Sequence, residues 1–62
     1  MTIREMIELN KPSKIEIKCN DYRACKPVDE ELLMKFYKGT DVLDEEAKKY
    51  TLTDDKTLEC YL

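Results

Sequence analysis

The sequence predicts an α+β domain: a four-stranded, mainly antiparallel sheet with two short helices on one face, in the order α-β-β-α-β-β. Three observations predict it. Thr2-Ile3-Arg4-Glu5 has the spacing of a capping box, and apolar residues follow at helical intervals. Lys14-Ile15-Glu16-Ile17-Lys18-Cys19 alternates polar and apolar, as a half-buried strand does. Thr57-Leu58-Glu59-Cys60-Tyr61-Leu62 alternates too, after a second alternating stretch at Tyr50-Thr51-Leu52-Thr53.

The first helix is expected over residues 2–9. Ile3, Met6 and Ile7 form one stripe, and Asn10 and Pro12 end it. The first strand, residues 14–19, turns Ile15, Ile17 and Cys19 inward. Asn20-Asp21 are turn formers, residues 22–26 return as the second strand, and Lys26-Pro27 stops it. The second helix starts at Asp29, a good N-cap, with Glu30 and Glu31 in its first turn and Lys35 and Lys38 near its last. Gly39 fits the C′ position, and Val28, Leu32, Leu33 and Phe36 form the expected buried stripe. Residues 41–50 carry helical spacing at Leu43, Ala47 and Tyr50, yet strand alternation begins at Tyr50. The reading adopted is a helical turn near Asp44 followed by a terminal hairpin. Leu52 pairs with Leu58 and Tyr50 with Cys60 around an Asp54-Asp55-Lys56 loop. The expected core is Ile3, Met6, Ile7, Ile15, Ile17, Leu32, Leu33, Phe36, Tyr50, Leu52, Leu58, Cys60 and Leu62.

Sixty-two residues make one domain, 1–62, with a thin core: four Ile, seven Leu, two Val and one Phe, helped by four Tyr and three Met. So thin a core favours self-association or partner binding over an elaborate active site. Residues 1–26 carry six basic and four acidic side chains, a balance of +2, whereas residues 27–62 carry five and ten, a balance of −5. The first residues lack a charged region followed by an apolar run, and the longest aliphatic run, Leu32-Leu33-Met34, is too short to cross a membrane. A cytoplasmic chain with reduced thiols is expected, with no membrane partner.

Three cysteines and no histidine exclude a four-ligand zinc site, and no Cys-x-x-Cys occurs. A cysteine nucleophile would lack its base. Cys19 and Cys60 are expected to point inward as small hydrophobes. Cys25 depends on the hairpin: a two-residue loop pairs it with Glu16 and turns it out, and a three-residue loop pairs it with Ile17 and turns it in. The single glycine excludes a phosphate-cradling loop. No cofactor, metal ligand or catalytic constellation is therefore expected.

Two charged groups remain as candidate sites. Asp44, Glu45, Glu46, Asp54 and Asp55 offer an acidic interaction surface. Reading the same carboxylates as a metal-dependent nuclease site lacks a supporting pocket, and solvated turns explain them better. Lys14, Lys18 and Arg23, with Tyr22 nearby, give the alternative of a small nucleic-acid-binding face.

The stretches TIREMIEL, KIEIKCND and VLDEEAKKYTLTDDKTLECYL together resemble very small proteins encoded by phages and prophages of Firmicutes. Those proteins open with a T-h-x-E-h-I helix (h for hydrophobic), continue with an I-E-I strand and close with an L-D-x-E-V pattern leading to D-D-x-T-L-x-I-Y-L. The chain departs from them around residues 22–26, where they have a longer strand with glycine, and at Ala47 and Cys60, where they have larger aliphatics. The resemblance implies a strand over residues 47–53 and brings no catalytic residues. It also implies context: such proteins bind and block a host factor, including defence nucleases such as CRISPR effectors, and some bind nucleic acid. The expected function is a non-enzymatic accessory protein of phage type, acting by protein–protein interaction, and a one-sided sheet in so small a chain leaves edges and a face available for a homodimer or a host-protein complex.

Overall fold

The computed structural model describes residues 1–20 and 23–62. Its first element is α1 (Ile3–Asn10). The capping box is in place: the Thr2 hydroxyl accepts from the Glu5 amide at 3.2 Å, and the Glu5 carboxylate accepts from the Thr2 amide at 2.8 Å. That pair of bonds holds the Glu5 carboxyl below its ordinary pKa. The helix ends at Lys11, which takes the left-handed conformation (φ 46°) and donates its N–H to the Ile7 carbonyl at 2.9 Å. Asn10 does not break the helix; its side-chain amide donates to the Met6 carbonyl at 3.0 Å.

Four strands follow: β1 (Lys14–Lys18), β2 (Cys25–Val28), β3 (Lys49–Leu52) and β4 (Thr57–Tyr61). The terminal hairpin has the expected register, with Leu52 opposite Leu58 and Tyr50 opposite Cys60. Its loop closes by a Lys56 N–H to Thr53 carbonyl bond of 3.0 Å, with Lys56 at φ 63°. A short 3-10 turn, Val42–Asp44, precedes it, as the helical turn near Asp44 anticipated.

The mainly antiparallel sheet is corrected. The sheet is mixed, in the spatial order β2-β1-β4-β3, and its central pair β1 and β4 is parallel. Burial gives the reason. Ile15, Ile17, Leu58 and Cys60 are fully buried, so the two strands that carry them take the centre and their hairpin partners become edges. Alternation within each hairpin fixes which face is apolar but not how one hairpin runs against the other.

β2 departs from expectation as well. The Asn20-Asp21 turn and the strand start at Tyr22 involve residues 21 and 22, which lie outside the described residues. Beyond them the strand passes through Pro27 instead of stopping there. Ile17 pairs with Cys25 and Ile15 with Val28, so Lys26 and Pro27 together stand opposite Glu16 in a bulge. An edge bulge is where proline's missing N–H costs no ladder bond. The Ile17–Cys25 pairing is the inward register, and Cys25 packs half-buried against the core.

α2 (Glu30–Phe36) begins as expected, with the Asp29 carboxylate accepting from the Leu32 amide at 2.7 Å. Gly39 (φ 79°) is left-handed but lies one residue past C′, inside a turn closed by Thr40 N–H to the Tyr37 carbonyl. The buried stripe is corrected: Leu33 and Tyr37 face the core, while Leu32 is 50% and Phe36 61% exposed. Tyr37 earns its inward place through a hydroxyl that donates to the Arg23 carbonyl. The Phe36 ring is left edge-on against it, 4.9 Å between centroids. Leu52 is also outside the core, at 48% exposure, and Met6, Tyr50 and Leu62 are half-buried. Val42 and Leu43 complete the core instead, packed with Ile3 and Ile7. Both helices thus contribute to one core on one side of the sheet.

Candidate interaction surfaces

Asp44 ends the 3-10 turn and Glu45 and Glu46 follow it, beside α1. The Ile3 N–H donates to the Glu45 carbonyl at 3.2 Å, and Thr2 bridges Glu46, so this segment is laced to the first helix. Each carboxylate then meets a cation of the same chain. Asp44 accepts from Arg4 Nε at 3.0 Å, and both Glu45 oxygens accept from Arg23 Nη1, at 2.9 and 2.7 Å. Glu46 accepts from the Met1 ammonium at 2.7 Å. Their charge is largely answered within the molecule, and they act as clasps between segments far apart in sequence. Asp55, also exposed, accepts from the Thr53 hydroxyl of its own hairpin loop, which holds its carboxyl below the ordinary range. Asp54 stands exposed at the same loop. The structure therefore places the five predicted carboxylates in two separate groups, of which Asp54 is the most available.

The basic candidates also divide. Lys14 and Lys18 stand on the outer face of β1, whereas Arg23 is turned to Glu45. Across the outer face, Lys18, Tyr61 and Lys49 are laterally paired on β1, β4 and β3. The Lys18 and Lys49 ammonium groups lie 5.2 and 5.3 Å from the Tyr61 ring centre. Lys18 also donates to the Tyr61 hydroxyl at 3.5 Å, and this bond, with the Glu59 carboxylate at 3.6 Å, raises its pKa. Tyr22 lies outside the described residues.

The cysteines are three thiols with no disulfide between them. Cys60 is fully buried at the centre of the sheet, and burial pushes its thiol up to about 12. Among the described residues, no group of three or more acidic or cysteine side chains is close enough to hold a metal ion.

The surface that sequence reasoning missed is on α2. Leu32 and Phe36, one turn apart, form an exposed apolar ridge. Beside it lies a shallow hollow of about 220 Å³, lined by Arg23, Phe36, Tyr37, Thr40 and Val42. The ridge is flanked by the Glu31–Lys35 pair, 3.8 Å apart and exposed on both sides. The signal was present in the sequence: Leu33 and Tyr37 are spaced one turn apart like Leu32 and Phe36, so either pair could have been the inner one. No helix is long and apolar enough to cross a membrane among the described residues. Compared with family models, curated proteins and solved structures, the chain matches none of them.

Proposed function

We propose that this chain is a non-enzymatic binding protein that acts by docking onto another protein through α2. The observation that carries the reading is the Leu32–Phe36 ridge, 50% and 61% exposed in a chain whose core is short of large apolar side chains. A protein that needs every apolar residue for stability gains by leaving two adjacent ones outside only if they are covered elsewhere. The hollow beside Phe36 and the charged pair flanking the ridge supply the apolar centre and polar rim of a protein interface. The resemblance to small phage proteins makes a host factor in the cytoplasm, such as a CRISPR effector, the first partner class to test. The test is a tagged pull-down from host lysate after nuclease treatment, comparing the wild-type chain with the Leu32→Glu/Phe36→Glu double variant. One stoichiometric protein retained by the wild type and lost by the variant is the expected result. Equal recovery with both chains would overturn it.

A second reading is favoured by one observation, the Lys18–Tyr61–Lys49 row on the open sheet face. It makes the chain a weak binder of single-stranded nucleic acid, with Lys14 and Lys18 from the original basic group and Lys49 in place of Arg23. Recovery of nucleic acid alone, steeply lost with added salt, would bring this reading forward.

A further inference from the structure

The three cysteines occupy neighbouring places in the sheet but not equivalent ones. Cys25 and Cys60 both pair with Ile17, one on each flank of β1. Ile17 therefore keeps them apart by two strand spacings, about 9.5 Å, beyond the span of a disulfide. Cys60 is fully buried, and its raised pKa keeps it a thiol at neutral pH. Cys19 and Cys25 are placed differently. Both are half-buried, and both line one open hollow of about 520 Å³ that reaches from β1 and β2 to Tyr61 and Leu62. They also share a neighbour. Burial first, then the Cys25 thiol and after it the Cys19 thiol, raises the pKa of the Tyr37 hydroxyl.

We infer that Cys19 and Cys25 form a redox-sensitive dithiol, which closes to a disulfide when a small-molecule disulfide such as glutathione disulfide enters the hollow. Cys25 opens β2 opposite Ile17, and Cys19 lies two residues beyond Ile17. Two residues of extended chain and one strand spacing put the two Cα atoms about 8 Å apart. A disulfide needs them within about 7 Å, so the bond draws Cys19 in by about 1–2 Å. Cys19 lies one residue past the end of β1 at Lys18, so no strand pairing has to open. The step balances with glutathione disulfide alone. One protein thiol gives its proton to water, and its sulfur attacks the glutathione S–S bond, releasing one glutathione as its thiol. The second protein sulfur, its proton also lost, displaces the other glutathione from the mixed disulfide. The protein pair is oxidised by two electrons, and the glutathione disulfide is reduced by two. Residues 19 and 25 bracket Arg23, whose carbonyl accepts from the Tyr37 hydroxyl and whose guanidinium holds Glu45. The bridge thus tightens the segment that fixes the inner face of α2.

The inference is independent of docking through α2, and its test needs no partner. The full chain is equilibrated in glutathione buffers of stepped ratio, once in native buffer and once in concentrated urea. It is then quenched with acid, alkylated and weighed by mass spectrometry. The folded chain should lose two hydrogens, with peptide mapping placing the bond between Cys19 and Cys25 and an alkyl group on Cys60. Half-oxidation should need about tenfold less glutathione disulfide in the folded chain than in the urea-unfolded one, because the fold and not sequence nearness alone holds the thiols together. By the same cycle, the oxidised chain should resist urea better than the reduced chain. Cys60→Ser should oxidise like the wild type, and Cys19→Ser should stop at a glutathione adduct on Cys25. Equal ratios in the folded and unfolded chains, accumulation of glutathione adducts in the wild type, or a bond that includes Cys60 would each overturn the proposal.

Discussion

The two helices carry equally good start signals, yet only the first buries the apolar stripe that its sequence predicts. α1 has its capping box and buries Ile3 and Ile7 as its stripe requires. α2 has its Asp29 cap but turns Leu33 and Tyr37 inward, leaving Leu32 and Phe36 outside. A cap is a contract between residues three apart and is settled locally. The choice of buried face is settled by what lies across the gap. α1 offers only one apolar stripe, so there was nothing to choose. α2 offers two that overlap, and the Arg23 carbonyl waiting for the Tyr37 hydroxyl decides between them.

The comparison can be broken most directly by truncation within α2. Leu33→Ala should destabilise the fold by about 2–5 kcal/mol, whereas Leu32→Ala and Phe36→Ala should each cost less than about 0.5 kcal/mol in urea melts. Equal costs would mean that α2 is rotated from the position described.

The sheet beneath both helices sets the next largest effect. The Cys60 thiol ionises near 9.0 when free and near 12 when folded. A raised folded pKa means that its stabilisation is complete below pH 9 and is withdrawn as the pH climbs from about 9 toward 12. The decline reaches at most about 1.4 kcal/mol per pH unit. Cys60→Ala should be less stable at neutral pH yet lose less between pH 9 and 11, as thermal melts across that range would read.

The caps are the smallest lever. Thr2→Ala and Asp29→Ala should each cost about 1 kcal/mol. The start of α1 is also held by the Ile3 N–H to the Glu45 carbonyl, so hydrogen exchange should show faster opening at α2 in Asp29→Ala than at α1 in Thr2→Ala. Matching exchange at the two sites would show that the bond from Ile3 adds no anchorage.

What was legible in the sequence follows the range of the interactions. Thr2 with Glu5, the Leu52–Leu58 register and the Asp29 cap all join residues near in sequence, and periodicity exposes them. The parallel join of β1 to β4 links Lys14 to Thr57, and the clasps Arg4–Asp44 and Arg23–Glu45 span 40 and 22 residues. No local pattern carries such pairings, and so the predicted acidic cluster was legible as composition but not as a set of clasps. The Leu32–Phe36 ridge was hidden for another reason: Leu33 and Tyr37 have the same one-turn spacing, and only a contact across the fold decides which pair lies inside.

Pro27 has a consequence for how far any assembly of this chain could grow. A sheet with two receptive edges permits head-to-tail stacking, each copy offering its far edge to the next, and such a heterologous contact runs on into a filament. Here the far edge is closed by a residue that has no N–H to give. Any filament built edge to edge would have to pass through that closed edge at every step. The same proline that sits in the β2 bulge therefore works against open-ended growth.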